Sequence, residues 1–527
     1  MKGSGTDQVD RIRGEWLFVA ALCLLALAVR ALAGPRTIDD AYITFRYARN
    51  LAQGLGFVYN PGQQVLGTTT PLYTLTMALA YLTGLLDLPL VALTINALAD
   101  AATVALLYAL GRHFSGSRLL AAALGLAWAL SPMSVTFAVG GMETSVVIFF
   151  LVASFAAYTA GHSRLSTAAM ALAVLTRPDA LIAALLLFAD MALRPLLTQR
   201  HAPWPERLRR LPWTEAAIFL GLLAPWLLFA TAYFGSPLPQ SIQAKVRAYH
   251  LDQFSALIRL LQHYATPFFG HEVLGRFWPA VGLPLYLALY LAGGLRLLRR
   301  SGRALPMFLY PLLYAAVFAA ANPLIFRWYL APPLPFYFLG ILVGLHGLLL
   351  GLARRLGGER LTAGAGLLVI LLVLPLSLNA YTLHPDHGPD RPAPEMAWFK
   401  LELLYQQAAE LVRPHLQPGD TIAAGDIGAV GWYSGAPILD TVGLISPEAA
   451  SYYPLDPSAL VITYAIAPDL IRDRQPEYLI TLEVYVRKTL LPAAWFQEEY
   501  EILTKIETDI YGSDGMLVFH LTQPALP

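Results

Sequence analysis

Two adjacent carboxylates stand in the stretch TIDDAYITFRYARNLAQGLGFVYNPG, residues 37–62. They follow an apolar run at 16–33, so Asp39 and Asp40 sit where the chain would leave a membrane. A carboxylate beside a lipid surface is partly desolvated, which raises its pKa and suits it to work as a general base. Arg46, close by in sequence, would keep such a group ionised. The spacing predicts a helix over 39–53, with acids in its first turn. On that helix Asp39, Tyr42, Arg46, Arg49 and Gln53 share one face, and Ile43, Tyr47 and Leu51 share the other. The helix is expected to lie along the interface, apolar side down and charged side toward an outer cavity. The competing reading is that Asp39 and Asp40 only cap it.

The rest of the chain must position these groups. Of 527 residues, 57% are hydrophobic and 13% charged, against about 25% charged in soluble domains. This is the balance of a polytopic membrane protein. A net charge of +1 excludes nucleic acid as a bulk electrostatic partner. The lone Cys23 excludes an intramolecular disulfide and a cysteine metal site. Apolar runs at 16–33, 89–110, 119–134, 145–160, 165–176, 178–191, 214–234, 278–297, 305–321, 328–350 and 362–378 are read as eleven spans. The run at 16–33 is taken as the first span rather than a cleaved leader. The runs flanking TRPD, 165–176 and 178–191, are short and are read as half-helices or steeply packed spans. Basic clusters at 112–118, 193–210, 296–303 and 353–360 fall on one side if 71–86 lies at the surface without crossing. That puts the N-terminus in the cytoplasm and the C-terminus outside a multi-pass cell-membrane protein.

The resulting organisation is a membrane domain over 1–382, whose first outer loop is 34–88, then a Pro-rich linker at 383–395. Residues 396–527 read as a soluble extracytoplasmic α/β domain. Strands are expected at 477–482, 500–507 and 516–521, and helices at 396–412 and 468–474. DTIAAGDIGAVGWYSG reads as strand, glycine turn and strand. Its glycines are spaced G-x-x-G-x-x-G, which is not the dinucleotide-binding fingerprint.

The opening motif, together with GGMETS, LTRPDAL, YFGSPLPQSIQAKV, RWYLAPPLPF and GDIGAVGWYSGAPILDTVGLISPE, resembles GT-C-fold integral-membrane glycosyltransferases. Within them it is most similar to the mycobacterial cell-wall terminal arabinofuranosyltransferases and their bacterial relatives. The resemblance implies a helical bundle of about eleven spans, a catalytic loop after the first span, and a polyprenyl-phosphate-linked sugar as donor. It carries the catalytic acid to Asp39 first and Asp40 second. Direct attack assisted by one base would invert the anomeric carbon. Cations on the departing phosphate stabilise the transition state most in a water-poor site. Lys245, the only lysine between Lys2 and Lys400, and Arg327 are the first candidates, with Arg177 and Arg46 behind them. Snorkelling for Lys245, interface anchoring for Arg327 and pairing with Asp179 for Arg177 are the plainer alternatives. Glu143, Tyr42, Asn60 and Gln240 are candidates for sugar or acceptor contacts. Gln240 stands where the similar proteins carry Asn, which leaves the donor sugar open. No cofactor is required, although two adjacent carboxylates could hold a divalent cation. The implied partners are the lipid-linked sugar, an envelope glycan or lipid acceptor, and membrane lipid. A transporter or flippase of a lipid-linked precursor is the alternative function. It would place ionisable groups at the midplane and repeat its halves, and neither pattern is seen.

Overall fold

A computed structural model describes residues 5–84, 87–198, 203–268, 275–356, 364–372, 374 and 397–522. Among them, seven helices are long and apolar enough to cross a bilayer: Arg13–Ala33, Leu88–Ser115, Pro178–Leu197, Trp213–Phe234, Trp278–Arg300, Gly302–Ala321 and Leu334–Arg355. The pair Arg118–Ala129 and Pro132–Val139 forms an eighth path, bent by 44° where Pro132 opens its second half. Thr144–Thr159 and Ser163–Thr176 are apolar but shorter. Of the expected last run, 362–378, residues 364–372 and 374 are described and helical; the linker at 383–395 lies outside the described residues. The described helices therefore account for the expected runs without establishing a count of eleven. Pro71–Thr83 has 13 residues, too few to span at ~1.5 Å per residue. Its exposed Leu75, Leu79 and Leu82 form an apolar stripe along one side.

The bundle is pinned by a fully buried ion pair. Arg30 Nε donates to Asp100 at 2.8 Å. The other Arg30 donors reach the Ala26 and Ala129 carbonyls and Ser134 Oγ. Trp128 and Ser145 also donate to Asp100. Every charge in this cluster has partners, which is the condition under which a buried pair is tolerated.

The C-terminal domain is α/β, as its strand patterns predict. Strands β1 Ile422–Ala424, β2 Ile438–Asp440, β3 Tyr478–Leu482, β4 Tyr500–Ile506 and β5 Met516–Leu521 form one sheet in the order β2-β1-β3-β5-β4. β1 runs parallel to both its neighbours, and β5 antiparallel to both of its own. The glycine stretch departs from expectation. Gly428–Ser434 is a helix, making β1–helix–β2 a parallel crossover instead of strand, turn and strand. No side chain of its own caps that helix; the cap comes from the membrane half of the chain.

Candidate active site

The predicted first-loop helix is present as Asp39–Ala52 and is sandwiched between two surroundings. One side meets the C-terminal domain. The Asp39 carboxylate accepts from the backbone N–H of Gly428 at 2.9 Å and of Ala429 at 2.7 Å. It thereby caps Gly428–Ser434 from 389 residues away in sequence. One turn pair further along, Arg46 donates to the carbonyls of Gly431 and Ala436 at 2.5 and 2.7 Å. A carboxyl oxygen at the N-terminus and a guanidinium at the C-terminus both match the polarity of the helix dipole. Burial, with Asp426 and Asp40 adding to it, drives the Asp39 carboxyl well above the usual carboxylate range, against the two N–H groups that oppose the rise. Tyr59 donates to the Ile427 carbonyl, and the Tyr42 and Tyr433 hydroxyls pair at 2.8 Å. Asn60 bonds both the N–H and the C=O of Ile438, so its amide stands in for a neighbouring strand at the β2 edge. A Cβ on Gly428 would collide with the Asp39 backbone, and one on Gly431 with the Tyr59 hydroxyl. The glycine pattern thus serves close approach of two chain segments.

Asp39, Tyr42, Arg46 and Asn60 therefore lie in a docking seam. The helix side expected to face a cavity faces the C-terminal domain. The side expected to lie on the membrane carries Asp40, Ile43 and Thr44 into a cavity of about 850 Å³. The reason is one of packing: the polar face is buried by a second domain whose position no local pattern encodes.

The cavity brings together Asp40, Glu143, Arg177 and Lys245. Asp40 and Lys245 face each other at 3.7 Å, with side chains 31% and 22% exposed. Lys245 also lies 4.7 Å from the centre of the Phe326 ring. Burial by itself would lower the Lys245 ammonium; Asp40, Tyr329, Asp440 and Asp426 more than reverse this, so its pKa lies above the usual lysine value. Arg177 occupies the break between Ser163–Thr176 and the next span, as TRPD suggested, with extended backbone. It grips Asp179 with two donors at 3.1 and 2.7 Å and donates to the Trp328 carbonyl. The pairing reading of Arg177 is thus realised inside the cavity wall. A polar wall is built by Thr44, Thr68, Thr69 and Thr70, whose hydroxyls are partly linked to one another.

Gln240 and Arg327 fall outside this wall. Gln240 begins the helix Gln240–Ala248, its N–H bonded to the Leu66 carbonyl. Arg327 shares a single turn with Trp328 and Tyr329, and it is those two that line the cavity. Apolar residues form the mouth: Ile242, Val246 and Val317 line the cavity and are also exposed, and Val317 belongs to the span Gly302–Ala321. Leu444, Pro454, Leu455 and Leu460 of the C-terminal domain also line the cavity.

Three acids, two beside the seam and one in the cavity wall, carry no chemistry in the sequence reading. Glu402 accepts from the Asp39 backbone N–H at 2.9 Å. Asp426 accepts from Tyr405 at 2.5 Å and senses the charges of Asp40 and Lys245. Burial drives the carboxyls of both above the usual range. Asp179, known before only as a partner for Arg177, is fixed further by Tyr314 at 2.9 Å. The GDIG segment is the only signal that could have pointed to Asp426. Among the described residues no group of three or more His, Cys, Asp or Glu is arranged to hold a metal ion.

Known structures share this architecture. The crystal structure of ArnT from Cupriavidus metallidurans in the apo state superposes at a TM-score of 0.53 and 14% identity, covering 95% of this chain and 97% of that one. The archaeal oligosaccharyltransferase AglB from Archaeoglobus fulgidus, in complex with an inhibitory peptide and a dolichol-phosphate, does so at 0.54 and 12%, covering 98% and 75%. A mycobacterial arabinofuranosyltransferase, AftD, matches at 0.42 and 15% over 97% of this chain and 42% of that one. The chain has the GT-C fold: a membrane helical bundle with a C-terminal α/β domain. Residues 397–519 match a family model described as a domain of unknown function, DUF8728. No curated protein matches by sequence.

Proposed function

We propose that the protein is a glycosyltransferase that moves a sugar from a polyprenyl-phosphate-linked donor to an envelope glycan or lipid acceptor at the outer face of the membrane. The observation that carries this reading is the cavity. It holds a carboxylate and an ammonium 3.7 Å apart, and its exposed apolar mouth lies beside a membrane-crossing helix. A prenyl chain can stay in lipid there while its phosphate reaches Lys245. The dolichol-phosphate in the AglB complex supports a lipid phosphate as ligand of this fold.

Asp40 is the base in this reading, ahead of Asp39. Only Asp40 faces the cavity; the oxygens of Asp39 are engaged by Gly428 and Ala429. Asp40 takes the proton of the acceptor hydroxyl as its oxygen attacks the anomeric carbon, and configuration inverts. Lys245 meets the charge that grows on the phosphate as the carbon–oxygen bond breaks. The threonine wall offers hydroxyls to the sugar. The test is reconstitution in vesicles holding a labelled polyprenyl-phosphoryl sugar. Release of free polyprenyl phosphate is the expected result. Movement of intact lipid-linked sugar across the vesicle without cleavage would establish the transporter instead.

A further inference from the structure

Glu143 lines the cavity and is 6% exposed, yet no side chain among the described residues donates a hydrogen bond to its carboxyl. Arg177 Nε lies 3.7 Å away. Its guanidinium is committed elsewhere, to both oxygens of Asp179 and to the Trp328 carbonyl. Only Glu143's own backbone N–H turns toward the carboxyl. A buried carboxyl without donors favours its neutral form, because the charged form alone needs the missing solvation. Burial is the main reason its pKa stands at about 7; Arg177 opposes this, and Asp179 and Asp40 reinforce it. Tyr73, from Pro71–Thr83, senses the Glu143 charge as well, and Lys245 lines the same cavity.

We propose that Glu143 serves the transfer as a neutral acid, giving its proton to the phosphate oxygen that leaves the sugar. This rests on the glycosyl-transfer reading above. As the acceptor oxygen bonds to the anomeric carbon, the bond from that carbon to the phosphate oxygen breaks and its electron pair stays on the oxygen. Asp40 receives the acceptor proton and Glu143 delivers its own to the phosphate. Asp40 ends neutral and Glu143 ends as a carboxylate; proton exchange with solvent restores both. Two carboxyls in one cavity take opposite roles because one faces an ammonium and the other faces a guanidinium already paired.

Decaprenyl monophosphate binding to the purified full-length protein, at pH 6 and pH 8, tests this with wild type and Glu143→Gln. The neutral fraction of a group titrating at about 7 falls about tenfold over that interval, and apparent affinity falls with the competent fraction. The ratio of wild-type to variant affinity is expected to drop about tenfold; the phosphate's own titration acts on both proteins and cancels. Glu143→Asp, which keeps an acid, is expected to retain the fall and serves if the glutamine variant folds poorly. Binding with a flat ratio, and no fall for the aspartate variant, overturns the role of Glu143 alone. Absence of binding by every protein overturns the lipid-phosphate reading and this proposal with it.

Discussion

Replacing Asp39 by alanine separates docking from chemistry. The carboxylate caps the N-terminus of Gly428–Ser434, accepting at 2.9 and 2.7 Å from two buried N–H groups. Each buried donor left unpaired costs about 1–3 kcal/mol, so the two together cost about 2–6 kcal/mol, toward the lower end if water enters. At about 3 kcal/mol the equilibrium for local opening shifts by roughly a hundredfold, since about 1.4 kcal/mol is a factor of ten. Asp40→Ala removes a partly exposed pair at 3.7 Å, worth about 0–1 kcal/mol. Amide hydrogen exchange over 428–434 reads the difference, because exchange follows local opening. In Asp39→Ala those amides are expected to exchange about a hundredfold faster, while Asp40→Ala leaves them close to wild type. Equal protection in all three proteins would refute the assignment of Asp39 to the seam.

Other perturbations follow from the same structure. Gly431→Ala forces a methyl against the Tyr59 hydroxyl and the Arg46 guanidinium; it is expected to destabilise the C-terminal domain by ~1–3 kcal/mol, the usual cost of overpacking, read as a lowered thermal midpoint by differential scanning fluorimetry. Asp100→Ala strands Arg30 in the bundle without its carboxylate, a loss of about 3–5 kcal/mol that should appear as a much reduced yield of folded protein in detergent. Glu143 titrates at about 7 in the fold against an ordinary 4.5. A raised carboxyl contributes stability that is complete below about 4.5 and lost as pH rises through about 7, up to about 3 kcal/mol at 1.4 kcal/mol per unit. Glu143→Gln is therefore expected to flatten the fall in thermal midpoint between pH 5 and 8, and an unchanged slope would count against the burial argument.

Much of the architecture was legible because it is written in local patterns. Apolar length gives the spans, the TRPD break falls where Arg177 turns out of its helix, and alternation gives β3, β4 and β5. The first-loop helix was legible too, but not its orientation. Neighbouring residues on a helix point about 100° apart, so which of Asp39 and Asp40 meets a cavity depends on what packs on each side. That is fixed by contacts such as Asp39 with Gly428, which no window of sequence contains. The same holds for Arg46 and Asn60, whose types suit sugar or phosphate but whose donors go to backbone carbonyls of the docked domain. Gly428 and Gly431 looked like a turn because their reason, close approach by another segment, is tertiary. Lys245 stood out through scarcity, and the structure puts it beside Asp40.

Single-turnover release of polyprenyl phosphate from a polyprenyl-phosphoryl sugar, compared among wild type, Asp40→Asn and Asp39→Asn, bears most directly on the site. Loss of one general base costs about 10²–10⁴ in rate. The account requires a fall of that size for Asp40→Asn, with Asp39→Asn retaining most of its turnover whenever the C-terminal domain stays docked. Full release by Asp40→Asn, or a loss confined to Asp39→Asn in a docked protein, would contradict it.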